Sequence, residues 1–250
     1  MPLSTPIIRT LSLFLFLIAW FGLAMIADDA TVLPSPLALV EPFWTELMSG
    51  DLLYHLWRTV MRVIVAFCIA LGAGIVIGFL MGTRPKLDRW LDPWLVVFLN
   101  LPALVLIVLC YLWIGLNEIA AITAVALNKI PGVASIIREG ARALQSDLKS
   151  MAIVFRVRPA TYLRHFVVPQ LAPFIAGASR SGIAVIWKVV LVVEFLGRSN
   201  GIGFQVHLYF QLFDVAMVLV YSLSFIIFML AIEWFLLQPI ENKVQAWRHA

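Results

Sequence analysis

Long apolar stretches, separated by short clusters of charge and proline, run almost the whole length of the chain. Runs free of any charged residue extend from Thr10 to Ala27, Val63 to Thr83, Pro93 to Asn117 and Val215 to Ile232. Each is close to or above the roughly 20 residues that a helix needs to cross hydrocarbon about 30 Å thick. Two further runs carry isolated charges: Ile119 to Ile137 holds Lys129, and Pro173 to Leu196 holds Arg180, Lys188 and Glu194. They cross a membrane only if those charges face protein or water. The pattern thus predicts an all-α membrane protein in one domain, residues 1–250, with spans near 8–27, 60–83, 93–114, 119–137, 172–196 and 214–237.

Two spans have internal punctuation. Gly74, Gly78 and Gly82 recur every four residues on one helix face and predict a close approach by a neighbouring helix. Pro102, two residues after Asn100, predicts a kink in the third span, either to gate a pathway or to accommodate a neighbour.

Composition agrees with lipid as the solvent: 62% of residues are hydrophobic and 13% charged, with a mean hydropathy of +0.98. The spans leave no room for a separate soluble catalytic domain. The net charge of +4 is spread over short connections rather than gathered on a face, so it reads as a topology signal and not as a nucleic-acid surface. Arg9; Arg84, Lys86 and Arg89; Arg138 to Arg164; and Lys243 and Arg248 fall on one side. Asp28, Asp29, Glu41, Glu46, Asp51, Glu118 and Asp214 fall on the other, with Arg58 and Arg198 as basic exceptions. The basic side is expected to be cytoplasmic, with both termini there. The first run has features of a secretory signal, but its length favours a retained span. Arg58 and Arg62, four apart at the outer edge of the second span, run against the count and are expected to snorkel to lipid phosphates. Cys68 and Cys110 read as helix-packing residues. His55, His165, His207 and His249 are scattered without ligand spacing, so no metal is expected.

Residues 138–170 are too polar to span and too patterned for a plain loop. Ile137, Ala141, Leu144, Leu148, Met151 or Ala152, and Phe155 form an apolar stripe at helical spacing. Ser146 as a cap and Asp147 at the positive end of the helix dipole suit a helix start. Arg158-Pro159 ends that helix, Pro159 opens a second through about Phe166, and Pro169 and Pro173 mark entry to the fifth span.

The order Met151-Ala152, a turn, then Phe166-Val167-Val168-Pro169-Gln170-Leu171-Ala172-Pro173-Phe174-Ile175-Ala176-Gly177 resembles the EAA loop of binding-protein-dependent ABC importer permeases. Trp187, Glu194 and Gly201-Ile202-Gly203 resemble the nitrate/sulfonate/taurine branch of that family. The resemblance implies a six-span fold of the type I ABC importer permease kind in a bacterial inner membrane, acting as a homodimer. It implies cytoplasmic ATPase subunits that hold ATP and Mg, and a periplasmic solute-binding protein. Ser150, Met151, Ala152, Phe155, Arg156, Val157 and Pro169 are then the coupling residues, and Gly201, Gly203 and His207 face the binding protein. Two positions depart from the family: the glutamate that names the loop is Ser150, and the glycine of its turn is Arg156. Since a non-glycine residue at positive φ costs about 1–2 kcal/mol, Arg156 is expected at negative φ in a shifted or more open turn. Its charge either meets an acidic group on the ATPase or is solvated. With no glycine-rich phosphate loop in the chain, ATP is hydrolysed elsewhere and no catalytic residues or cofactors are expected here.

Asn100, Lys129, Arg180, Lys188 and Glu194 remain candidates for the translocation path or for ion pairs, a basic interior suiting a small anionic solute. At 100° per residue, Lys188 and Glu194 point apart and do not pair within their helix. A gradient-driven secondary transporter is the rival reading, with Glu194 or Glu233 carrying a proton. An intramembrane enzyme lacks the converging acids, nucleophiles or ligands it would need.

Overall fold

The computed structural model describes residues 5–232 and 235, which form helices and no strand. In chain order these are α1 (Thr5–Ala27), α2 (Val40–Ser49), α3 (Asp51–Thr83), α4 (Pro85–Asn100), α5 (Ala103–Ile114), α6 (Glu118–Arg142), α7 (Ser146–Val154), α8 (Pro159–Tyr162), α9 (Val168–Gly197), α10 (Ile202–Gln211) and α11 (Val215–Ile232). Among the described residues, four helical stretches are long and apolar enough to cross a membrane: α3, α6, the continuous run Pro159–Gly197, and α11; the bent pair α4–α5 makes a fifth if it counts as one span. The far part of the last expected span, with Glu233, and the C-terminal Lys243, Arg248 and His249 lie outside the described residues.

The third expected span is not one straight helix. α4 and α5 meet at 100° around Leu101-Pro102. The residue before a proline is driven out of helical geometry, and Leu101 is extended at φ −74°, ψ 121°. Asn100 donates from Nδ2 to the Val96 carbonyl at 2.8 Å, satisfying an acceptor at the helix end. The kink expected at this proline is therefore a full break between two helices. α3 likewise starts nine residues before the expected span, because Gly50 at φ +86° turns the corner out of α2.

The bundle is organised around α3, α6 and α9. The four-residue glycine repeat packs as expected: a Cβ on Gly74 would stand 2.5 Å from Val133 Cβ, and one on Gly82 2.5 Å from Ala141 Cβ. A Cβ on Gly78 would collide with the Ala134 carbonyl. Val133, Ala134, Ile137 and Ala141 of α6 pack directly on the glycines, so the two backbones approach closely. The main core joins Val63, Ala66 and Ala70 of α3 to Ala120, Ala121 and Ala124 of α6 and Ile186, Val190 and Val193 of α9. Cys110 is buried in that core, whereas Cys68 is exposed and does not pack there. α1 lies outside the bundle with Phe14, Leu15 and Phe16 exposed, and Trp20 donates from Nε1 to Pro34 O at 3.1 Å.

Candidate functional site

Two regions, at opposite ends of α6 and α9, hold most of the residues singled out by the sequence.

At one end, α7 and α8 form the expected helix, sharp turn and helix. The apolar stripe is broken rather than continuous: α6 stops at Arg142 and α7 starts afresh at Ser146, with Gln145 and not Ser146 as its cap. Gln170 Oε1 accepts from the Gln145 N–H at 3.1 Å, and its Nε2 donates to Phe166 O at 2.8 Å. α8 runs on through a π-turn at Leu163–Val167 into α9, so Pro169, in the first turn of α9, lies inside a continuous helical run rather than at a boundary. Ala141, Val167 and Leu171 make a small core beneath this segment, with Leu144, Tyr162 and Ile175 packed against it.

The turn overturns one expectation. Arg156 has φ +51°. Its N–H donates to Ile153 O at 3.1 Å, and the Val157 N–H donates to Ala152 O at 2.9 Å. Those two bonds are the Schellman closure of a helix C-terminus, which needs a left-handed residue at this position. The turn keeps the tight geometry that glycine would give, because its hydrogen bonds outweigh the strain of about 1–2 kcal/mol. Ala152 is buried and faces inward, so it belongs to the anchoring side and not to the exposed one. Ser150 and Met151 are exposed, and Ile153, Val154 and Phe155 project at 69%, 75% and 74% exposure. Arg156, Arg158 and Arg164 are exposed in the same segment, and Val157 is half-buried.

At the other end, α3, the start of α6, the end of α9 and the loop before α10 enclose a buried polar network. Glu194 is fully buried. It accepts from Arg62 Nη1 at 2.6 Å, Thr59 Oγ1 at 2.9 Å and the Gly203 N–H at 2.9 Å. Arg62, 3% exposed, also reaches Glu118 through Nε at 2.8 Å and Nη2 at 2.9 Å, the Asn200 carbonyl at 2.8 Å, and the Asn200 side-chain oxygen. Arg58 and Arg198 add to Glu118 at 2.5 and 3.3 Å. A buried Arg62 has no access to lipid phosphate, so the expected snorkelling gives way to ion pairing. Arg58 and Arg62 sit against the topology count because Glu118 and Glu194 neutralise them.

The backbone here is fitted to the carboxylate. Gly201 has φ +109°, and a Cβ on it would lie 2.5 Å from either Glu194 oxygen. The Gly201 N–H donates to His55 Nδ1 at 3.0 Å. That bond leaves the ring proton on Nε2, 2.7 Å from the Gln205 amide, which must then present its oxygen. Gly201 and Gly203 are buried and serve this network; they do not form the outward surface expected of them. His207 is half-buried, 4.5 Å edge-on to Phe195, with Nε2 2.9 Å from the Gln211 amide. His55, Thr59, Glu118, Asn200 and Gln205 were not singled out by the sequence as site residues. A basic pair four residues apart on the acidic side, at the depth of two glutamates, was the signal that could have found them.

Among the other candidates, Asn100 is spent on Val96. Lys188 is exposed on α9 and Lys129 is half-buried on α6, neither with a partner among the described residues. Arg180 is exposed and does make an interaction.

Residues 70–237 match the family described as binding-protein-dependent transport system inner membrane component. A Bacillus subtilis (strain 168) protein named for aliphatic sulfonates transport is 29% identical over 74% of this chain and 66% of its own length. The taurine transport system permease protein of Escherichia coli (strain K12) is 26% identical over 98% of this chain and 92% of its own. The bicarbonate transport system permease protein of Synechococcus elongatus is 30% identical over 76% and 72%. In fold, an inward-facing structure of the MetNI methionine ABC transporter superposes with a TM-score of 0.67 at 18% identity, covering 80% of this chain and 98% of that one. The chain is a multi-pass membrane protein and belongs to the binding-protein-dependent transport system inner membrane component family, with the fold of ABC importer permeases.

Proposed function

We propose that this chain is the membrane-spanning subunit of an ATP-driven importer for a small anionic solute, working as a homodimer in a bacterial inner membrane. The observation that carries this reading is the apolar tip Ile153–Val154–Phe155, exposed on a turn closed by two backbone hydrogen bonds. Burying that tip in a groove of an ATPase is favourable, at roughly 25 cal/mol per Å² of apolar area removed from water. Because α8, which follows the tip after the turn at Arg156–Arg158, is continuous with α9, a movement passed through that turn is carried into the long helix and what packs on it.

ATP and Mg belong, in this reading, to the ATPase, and this chain performs no hydrolysis. The basic end, with Arg84, Lys86, Arg89 and the α7–α8 pair, is cytoplasmic, as the positive-inside rule favours. The end bearing α10 receives a solute-binding protein, and Phe210, Leu212 and Phe213 offer it exposed apolar surface. The anionic solute follows from the relatives named for sulfonates, taurine and bicarbonate. A proton-driven transporter loses its first candidate carrier, since Glu194 is committed to Arg62, Thr59 and the Gly203 N–H.

The test is gentle detergent extraction of the tagged full chain from its native cell, followed by identification of what copurifies and reconstitution into liposomes. An ATP-binding subunit in fixed ratio and uptake that requires ATP are expected. A lone oligomer that transports without ATP would overturn the reading.

A further inference from the structure

Three consecutive backbone N–H groups at the start of α10 are each taken by a side chain from another helix. The Gly201 N–H donates to His55 Nδ1 at 3.0 Å, the Ile202 N–H to Thr59 Oγ1 at 2.9 Å and the Gly203 N–H to a Glu194 oxygen at 2.9 Å. A helix leaves its first N–H groups without partners of its own, and Gly201, at the cap position, has no side chain to serve them. α3 supplies two of the acceptors and α9 the third, and together they hold the N-terminus of α10 against the bundle.

A proton acts differently on the three acceptors. The Thr59 hydroxyl does not titrate, and Glu194 is paired with Arg62 Nη1 at 2.6 Å. His55 belongs to the residue type that changes charge between about pH 5 and 8. A backbone N–H can only donate, so Nδ1 must be bare and the neutral ring carries its proton on Nε2. The Gln205 amide receives that proton on its oxygen, which is otherwise buried without a partner. A second proton, on Nδ1, would set two donors face to face and put a positive charge at the positive end of the α10 dipole.

The surroundings of the ring offer that second proton no acceptor. His55 is buried, with Phe204 of α10 stacked on it and Tyr54 of α3 and Tyr221 of α11 edge-on. The charges around it are Glu46 of α2 and Asp51 and Arg62 of its own helix. The two carboxylates attract a charge that forms on the ring and Arg62 repels it, but neither carboxylate is bonded to the ring, and Glu46 receives the Tyr221 hydroxyl. From α10 the ring meets Phe204 and Gln205, which carry no charge.

We propose that His55 is a pH-sensitive latch: its neutral ring fastens the start of α10 and the loop before it to α3, and protonation releases them. The fastened form requires the neutral ring, so it is favoured above the titration range and lost as pH falls through it. A solvated imidazole titrates at about 6.5. Since only the released form takes the second proton, release grows about tenfold between about pH 7.5 and 5.5. α10 stands at the end assigned above to a solute-binding protein, so acid on that side loosens the receiving surface. That consequence rests on the importer reading; the latch itself does not.

The experiment is hydrogen exchange, read by mass spectrometry, on the full chain in lipid nanodiscs at about pH 7.5 and 5.5, corrected for the intrinsic exchange rate. It needs no ATPase, so its failure is distinct from a failure of the importer reading. Segment 198–211 should lose protection about tenfold at the lower pH, with α6 unchanged within about twofold. In His55→Asn and His55→Gln, which do not titrate, exchange of that segment should no longer respond to pH. His207→Asn, which removes the histidine of α10 itself, should keep the wild-type response. Equal protection of segment 198–211 at both pH values in the wild-type chain overturns the latch, as does a loss shared by α6. A response that survives removal of His55, or that vanishes with His207, overturns it equally.

Discussion

Gly201 and Arg156 both occupy backbone positions with positive φ, one at each end of α9, and they are held by different means. At Gly201, φ is +109° and the Glu194 carboxylate fills the space a side chain would need. Conformation and packing both demand glycine there. At Arg156, φ is +51°, the residue is exposed, and two Schellman hydrogen bonds close the turn. Only backbone strain opposes the side chain, and that is about 1–2 kcal/mol. A buried ion network thus fixes its backbone absolutely, while an exposed turn keeps its shape and leaves its chemistry free to vary. The turn keeps the left-handed backbone that glycine favours without the glycine.

The sharpest way to break that contrast is Gly201→Ala, which should prevent a folded, monodisperse protein in detergent, since neither the φ nor the carboxylate can yield. Arg62→Ala should come next. It strands the buried Glu194 carboxylate without a cation, a loss of about 3–5 kcal/mol that a large fall in thermal unfolding temperature would register. Glu194→Gln should cost less, about 1–3 kcal/mol, because Arg62 keeps Glu118 and Asn200. Equal costs for the two would mean that the carboxylates do not share the arginine as described. At the other end, Phe155→Asp should leave the unfolding temperature unchanged and reduce ATP-driven uptake at least about tenfold, since it puts a charge into the apolar contact. The smallest effect belongs to Arg156→Gly, which relieves strain at some entropic cost and should raise stability by less than about 1 kcal/mol. A destabilised Arg156→Gly would show that the arginine makes contacts beyond its backbone.

Much of this was legible in the sequence, for identifiable reasons. The apolar runs marked the helices of the bundle, because burial in lipid depends on composition over about 20 residues and not on a single position. The glycines at 74, 78 and 82 announced the α3–α6 contact, since a missing side chain every four residues has one simple use in a membrane. The bend at Pro102 was placed from the sequence, but its 100° angle was not legible, because the proline dictates only that the preceding residue leave the helix. Arg62 was misread as a lipid contact: its partners lie 56 and 132 residues away, and sequence spacing carries no information about pairing over such separations. Arg156 was misread from an intrinsic cost that two hydrogen bonds and the core under Ala152 outweigh. Ala152 itself, taken as part of the docking stripe, turns inward, as Ile137 and Ala141 earlier in that stripe do.

The central claim is that the tip at Ile153–Phe155 is where an ATPase engages this chain, and a site-specific cross-link tests it most directly. In a Cys68→Ser background, which leaves only the buried Cys110, single cysteines at Phe155→Cys and Phe213→Cys present thiols at opposite ends of the bundle. With a short thiol-directed cross-linker in intact cells, Phe155→Cys should capture an ATP-binding subunit and Phe213→Cys should not. Capture of that subunit from position 213 but not 155, or from neither while uptake remains ATP-driven, would contradict the account.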